Sequence, residues 1–305
     1  MKIYTHNFNP ASNSGPNKFT RTLFNTLLNQ NMISVARDQS EADVEFCLIQ
    51  QQLHKVKPML LRLDGIYFNS DQSWQYQNRP IEFAYRNADA VVFQSNFNKN
   101  LTERYFGEHP NSFIIHNCAD KKLIRSANPH FFNSTFGKDT EVWACASSWR
   151  PHKRLNENIR YFFEHAPSNA MLAVAGPIQR EEITIPEPGR VVLLGELDYI
   201  SLLSLYRKSK VFIHLAYLDH CPNVVVDAQA AGCHVICSST GGTSEIVYQG
   251  TVIQEDLWDY KPTKLYNPPP MKFENYIVRD SECSSENNIV DCSEKYYNIF
   301  KSLVK

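Results

Sequence analysis

The chain has 305 residues, enough for two domains of ordinary size, and 43% of them are hydrophobic, enough to bury full cores. A formal net charge of -1 excludes a dominant nucleic-acid or anionic-surface footprint, and no apolar run approaches the ~20 residues needed to span a bilayer. MKIYTHNFNP has no signal-peptide core, and eight scattered cysteines without a C-x-x-C pair or zinc spacing read as free thiols in a reducing, cytoplasmic compartment.

KIYTH predicts a strand, followed by the turn Ser14-Gly15-Pro16 and a helix with Phe19, Leu23 and Leu27 on its apolar face. Strands follow at VEFCLI and PMLLRL, then at AVVFQS, then a helix over SNFNKNLTERYF and a strand at SFIIHN. These runs are apolar without alternation, as expected of strands covered by helices on both faces. Asn100-Leu-Thr and Asn133-Ser-Thr match the glycosylation pattern and read as chance matches. From Asp120 to Lys138 the pattern lapses into a polar, irregular stretch that reads as an interdomain connection.

The alternation restarts at VWACASS, with a helix over Leu155 to His165 and strands at AMLAVAG and VVLLGEL. The helix YISLLSLYRKS, the strand KVFIHLAY, the helix PNVVVDAQAAG and the strand HVICSS complete it. Pro222 is placed at the first helical position. Residues 254–290, with Pro268-Pro269-Pro270, read as an extended surface segment. CSEKYYNIFKSLVK is a helix with Ser293 as N-cap and Tyr296, Tyr297, Phe300, Leu303 and Val304 as its apolar face. Two runs of strand–helix alternation predict an α/β protein with two Rossmann-like domains facing across a cleft. The N-terminal domain is assigned to 1–122, completed by helix 291–305, and the C-terminal domain to 123–290.

Ligands of open α/β sheets bind beyond the carboxyl ends of the strands. Those positions hold Gly15, Asp64-Gly65 and His116-Asn117 in the first half. In the second half they hold Trp149-Arg150-Pro151-His152-Lys153-Arg154, Gly176, Asp219-His220 and Gly241-Gly242. Glycine is scarce, at 11 of 305 residues, so its placement at strand ends carries weight. Asp227 falls on one helical stripe with Val224, Ala228 and Ala231. A carboxylate there needs a partner, either backbone N–H groups or an Arg, or the hydroxyls of a ligand. The cluster Arg150-His152-Lys153-Arg154 reads as a solvated turn or as a cationic seat for a diphosphate. His6 and His214 read as core histidines and are left out of the site, while His116 and Asn117 read as holding the interdomain connection. There is no D-x-D motif, which gives no metal site, and no G-x-G-x-x-G after a strand, which argues against a dinucleotide oxidoreductase, the third alternative.

Taken together, these motifs resemble those of a GT-B fold, retaining, nucleotide-sugar-dependent glycosyltransferase of the large family-four type. The resemblance runs from Lys2 to Ile253, and the terminal helix also fits. The family's two acidic residues eight apart, usually both Glu, stand here as Asp219 and Asp227, followed by AQAAGCHVICSSTGGTSEIV. Its I-P-N-G-[VI]-D stands as Ile115-His116-Asn117-Cys118-Ala119-Asp120, and its phosphate-binding segment as SSWRPHKRL. The departures are the two aspartates, His220 beside Asp219, Ser148 where Arg is usual, a single Gly15 where a pair is common, and Asp64-Gly65 in the region of a frequent His.

The resemblance implies a catalytic set of Asp219, His220, Asp64, Lys153 and Arg150. It implies donor binding by Gly15, Ser148, Arg150, Lys153, Gly176, Asn223, Asp227, Gly241, Gly242 and Thr243. It further implies a UDP- or GDP-linked sugar as donor, no metal or other cofactor, and a sugar or glycan acceptor on the N-terminal domain. The terminal helix is expected to cross back onto that domain. No nucleic-acid partner and no transmembrane segment are expected, which leaves room for peripheral membrane contact. A nucleotide-sugar epimerase of the same fold and a non-catalytic nucleotide or glycan binder remain as alternatives.

Overall fold

The computed structural model describes residues 1–12, 14–178, 183–281 and 288–305. They form two compact units. The first comprises Met1–Cys118, the short segment Asp259–Thr263 and the C-terminal residues 288–305. The second comprises Ala119–Trp258 and the stretch from Lys264 to Ser281.

In the first unit the elements run β1 (Lys2–His6), α1 (Gly15–Asn29), β2 (Ser34–Val35), β3 (Val44–Leu48), β4 (Met59–Leu63), α2 (Trp74–Asn87), β5 (Ala90–Phe93), α3 (Asn96–Phe106) and β6 (Ser112–Ile114). The strands form one parallel sheet in the order β2-β1-β3-β4-β5-β6. Helix α2 was not anticipated from the sequence. Pro80 lies inside it and half of its residues are polar or charged, yet Asn78, Ile81, Ala84 and Tyr85 bury one side of it.

The C-terminal helix, Ile289–Val304, belongs to this unit and packs its Cys292, Tyr296 and Phe300 into the core with Leu23, Phe24 and Phe46. The predicted cap is corrected. Asn288 precedes the helix, and Ser293 is buried inside it, its hydroxyl donating to the Val290 carbonyl at 2.7 Å. Ile289 and Cys292 extend the buried face one turn earlier than the aromatic residues suggested.

The second unit holds α4 (Lys121–Ser126), α5 (Asn133–Phe136), β7 (Val142–Ala146), α6 (Leu155–His165), β8 (Met171–Ala175), β9 (Val191–Gly195), α7 (Tyr199–Lys208), β10 (Val211–His214), α8 (Asn223–Ala230), β11 (His234–Ser238), α9 (Thr243–Ile246), β12 (Gln249–Ile253) and β13 (Tyr276–Asp280). The sheet order is β13-β12-β11-β10-β7-β8-β9, parallel except for β13. Two expectations fail here. The stretch 120–138 is not an irregular connector, because Ile124, Phe132 and Phe136 anchor α4 and α5 in the core. The stretch 254–290, of which 282–287 lie outside the described residues, is not simply an extended surface segment over 254–281. Met271 and Phe273 are buried, and Tyr276–Asp280 adds an antiparallel edge strand to β12.

Each sheet is doubly wound, so each unit is Rossmann-like, as the alternation predicts. In the second sheet the strand order reverses between β7 and β10, and the carboxyl ends of strands at such a reversal are where open α/β sheets in general bind ligands. Among the described residues no helix is long and apolar enough to cross a membrane.

Candidate functional site

Beyond β7 the chain turns through Ser147 and Ser148 to Trp149. The indole of Trp149 is 1% exposed and donates to the Ala175 carbonyl at 2.9 Å, which pins this loop to the end of β8. A single 3-10 turn, Pro151–Lys153, follows and ends at Arg154 in the left-handed region, φ 54°. A non-glycine residue holds that conformation only where its surroundings over-determine it. Here the buried Arg154 guanidinium makes two bonds to Glu255, at 3.0 and 2.8 Å, and one to the Pro269 carbonyl at 2.8 Å. Asn158 also bonds the Lys153 and Arg154 carbonyls, at 3.1 and 2.6 Å. The cationic cluster read from the sequence therefore divides. Arg154 anchors the turn, Arg150 and Ser148 are exposed, and Lys153 points to Asp219.

Asp219 lies in the loop after β10, and three donors converge on its carboxylate. Lys153 Nζ stands 2.5 Å from Oδ2, His214 Nε2 stands 3.0 Å from the same oxygen, and the His220 backbone N–H donates to Oδ1 at 3.0 Å. The side chains of Lys153 and Asp219 keep 18% and 15% exposure. Burial by itself would raise the Asp219 carboxyl, but Lys153 and His214 outweigh it and hold it well below the ordinary carboxylate range. Burial is also the largest influence on the neighbouring imidazoles. It takes His220 down to about 4 against the pull of Asp219, and His152 down to about 3 with help from Lys153. His214 is lowered too, by burial against the pull of Asp219. At neutral pH the cluster is one carboxylate and one ammonium among neutral imidazoles. His214 is thus a residue that sequence reasoning discarded. Its position at the end of a strand, beside the reversal of the sheet, was the available signal.

Gly241 and Gly242 sit against this loop. Asp219 forms a parallel bridge with Gly241, and the Gly242 N–H donates to the Asp219 carbonyl at 2.7 Å. Gly241 has φ +82°, and a Cβ there would lie 2.5 Å from the Asp219 carbonyl oxygen. The Gly242 N–H is already engaged, and α9 is a single turn of four residues, too short for much dipole. Thr243, its first residue, is fully buried. Gly176 has an equally specific cause. With φ +102°, its Cβ would fall 1.8 Å from the Ser147 carbonyl oxygen, so only glycine lets the chain leaving β8 pass that close to the chain leaving β7.

Asp227 is 4% exposed on α8, and the Tyr199 hydroxyl donates to its Oδ2 at 3.1 Å. One protein partner of this carboxylate is thus a tyrosine, which the sequence did not point to. Pro222 caps α8 from outside rather than opening it, and the half-buried Asn223 is the first helical residue.

Gly15 and Asp64 belong to the other unit. Gly15 opens α1. Asp64 pairs with the fully buried Arg62, which also donates to Asn117 Oδ1 at 2.7 Å, while Asn117 bonds Gln94 at 3.1 Å. Arg62, hidden inside the apolar run PMLLRL, ties the ends of β4, β5 and β6 together and was not anticipated. His6, by contrast, is the core histidine it was read as, paired with buried Glu45 at 2.7 Å. The structure thus brings Lys153, Asp219, His220, Gly241 and Gly242 into one cluster, and it bonds Asp227 to Tyr199.

Residues 128–256 match the family model described as glycosyl transferases group 1. No curated protein matches the chain. Among solved structures, HepE of Anabaena in complex with UDP-glucose superposes with a TM-score of 0.72 at 14% identity, covering 99% of this chain and 100% of that one. Sucrose-phosphate synthase of Thermosynechococcus elongatus gives 0.66 at 12% identity, covering 100% and 95%. AviGT4, a glycosyltransferase of avilamycin A biosynthesis, gives 0.65 at 15% identity, covering 100% and 98%. The fold is GT-B, and the resemblance drawn from the motifs holds, with the family match falling on the half that carries most of them.

Proposed function

We propose that this GT-B chain, with its group 1 glycosyltransferase segment, is a retaining glycosyltransferase that moves a hexose from a UDP- or GDP-linked sugar onto a sugar or glycan acceptor. The reaction takes place in the cytoplasm without a metal. The observation that carries this reading is the Lys153–Asp219 pair, 2.5 Å apart at the strand-order reversal of the second sheet and inside the matched segment. A departing nucleoside diphosphate needs positive charge where its own negative charge develops. Lys153 and the exposed Arg150 supply it from one side of the turn. Asp219 and His220 face the sugar hydroxyls, Asp227 takes the ribose, and the Gly241–Thr243 turn lines the phosphate end with Gly176 and Ser148. The C-terminal unit holds the donor, and the N-terminal unit, with Gly15 and Asp64, takes the acceptor. Attack and departure on one face of the sugar need no protein nucleophile, and none is assigned.

The test is incubation with a panel of UDP- and GDP-sugars and acceptor saccharides, with and without EDTA, read by product NMR. Transfer with retained anomeric configuration in EDTA supports the reading. Sugar inversion in the donor would make the protein an epimerase, binding without turnover a non-catalytic binder, and an absolute need for a divalent ion would refute the metal-free mechanism.

A further inference from the structure

Lys153 Nζ is paired with Asp219 Oδ2 at 2.5 Å, so a donor diphosphate competes with that carboxylate for the ammonium. A donor that draws Nζ away leaves a largely buried carboxylate short of its strongest partner, and an uncompensated buried charge is costly. The structure holds a second side chain ready on the same oxygen. His214 Nε2 is 3.0 Å from Asp219 Oδ2, its side chain is 4% exposed, and it is fixed at the end of β10. Its ring lies nearly parallel to that of Phe212, at 12° and 6.4 Å between centroids. Lys153 has a long flexible stem, whereas His214 is a short side chain held at 4% exposure.

We propose that His214 is a positioning residue that keeps the Asp219 carboxylate in place while Lys153 exchanges it for the diphosphate of the donor. This rests on the nucleotide-sugar reading above. With His214 present, Asp219 retains a hydrogen bond from a side chain and one from the His220 N–H after Lys153 leaves. Without it, Asp219 depends on Lys153 and competes with the phosphate for it. His214 acts through Asp219 and Lys153 and itself touches no substrate.

The test uses the full chain and four proteins: wild type, His214→Leu, His214→Gln, and the double variant His214→Leu with Asp219→Asn. Each is titrated calorimetrically with UDP and with GDP. His214→Leu should weaken the diphosphate that wild type binds by at least about tenfold, the worth of one charge-assisted hydrogen bond. His214→Gln, which keeps an N–H in reach of Oδ2, should recover most of that loss. In the double variant the neutral amide no longer holds Lys153, so affinity should return although the His214 ring is gone. A merely structural His214 predicts no such return. Equal affinity in wild type and His214→Leu, or a double variant as weak as His214→Leu, overturns the inference and leaves the nucleotide reading standing. Wild type binding neither diphosphate would remove both.

Discussion

Replacing Lys153 by Met keeps the apolar stem and deletes the ammonium. Two consequences follow, and they separate by assay. In the folded protein the change removes one of three donors from Asp219 while His214 and the His220 N–H remain, each at 3.0 Å. Breaking a buried pair outright costs ~3–5 kcal/mol, and the two surviving donors and residual exposure reduce this to about 1–3 kcal/mol, a few degrees of melting temperature for a unit of this size. In the reaction the loss is larger. A missing donor to a charge that develops in the transition state costs about 100-fold or more in turnover. The pH dependence gives a further check. Lys153 and His214 depress the Asp219 carboxyl in the folded state, so the stability it contributes is present above the unfolded value of about 3.9 and is lost as pH falls through the folded one. Without Lys153 the folded value rises. The stability gap between wild type and variant is therefore full above the variant's folded value and closes as the pH falls from there toward the lower wild-type one. Turnover of the nucleotide sugar and melting curves between pH 3 and 7 measure both. A folded Lys153→Met protein with near-normal turnover would refute the leaving-group role, and a gap that does not vary with pH would refute the electrostatic account of the pair.

Asp227→Asn keeps the Tyr199 bond but loses the charge, and it should weaken free nucleoside diphosphate and sugar nucleotide alike by about 10-fold or more, whereas Asp219→Asn should lower turnover and leave the free diphosphate no weaker. Calorimetry of both variants with both ligands decides this, and equal losses at Asp219 would show that the two carboxylates are wrongly assigned. Gly241→Ala puts a Cβ 2.5 Å from the Asp219 carbonyl oxygen at φ +82°, so the Asp219 loop must shift; a crystal structure with that loop unmoved, or unchanged turnover, would contradict the fit. Phe300→Ala removes a fully buried ring from the first unit and should cost ~3–5 kcal/mol in a thermal or denaturant melt, and an unchanged melt would mean that the C-terminal helix is not part of that core.

The sequence by itself determined the pattern of the sheets and which residues stand at the strand ends. Apolar runs such as VEFCL and VWACA, set in strand–helix alternation, read as strands covered on both faces, and a parallel strand of that kind delivers its next residues to the carboxyl edge of the sheet. That is why Lys153, Asp219 and the Gly-Gly turn could be picked out from spacing and residue type. Where local pattern and tertiary burial disagreed, the tertiary structure decided. Helix α2 forms despite Pro80 because Ile81, Ala84 and Tyr85 find a core to enter, and β13 forms because β12 offers it an open edge. Burial of Phe132 and Phe136 turns a polar stretch into part of the second unit's core. Partners distant in the chain were beyond the reach of local reading for the same reason. Asp227 meets a tyrosine 28 residues away, Lys153 meets an aspartate 66 away, and Arg154, one residue on, becomes a buried anchor on Glu255, 101 away. A charged side chain's role is set by what the fold brings within 3 Å of it, and periodicity carries no information about that.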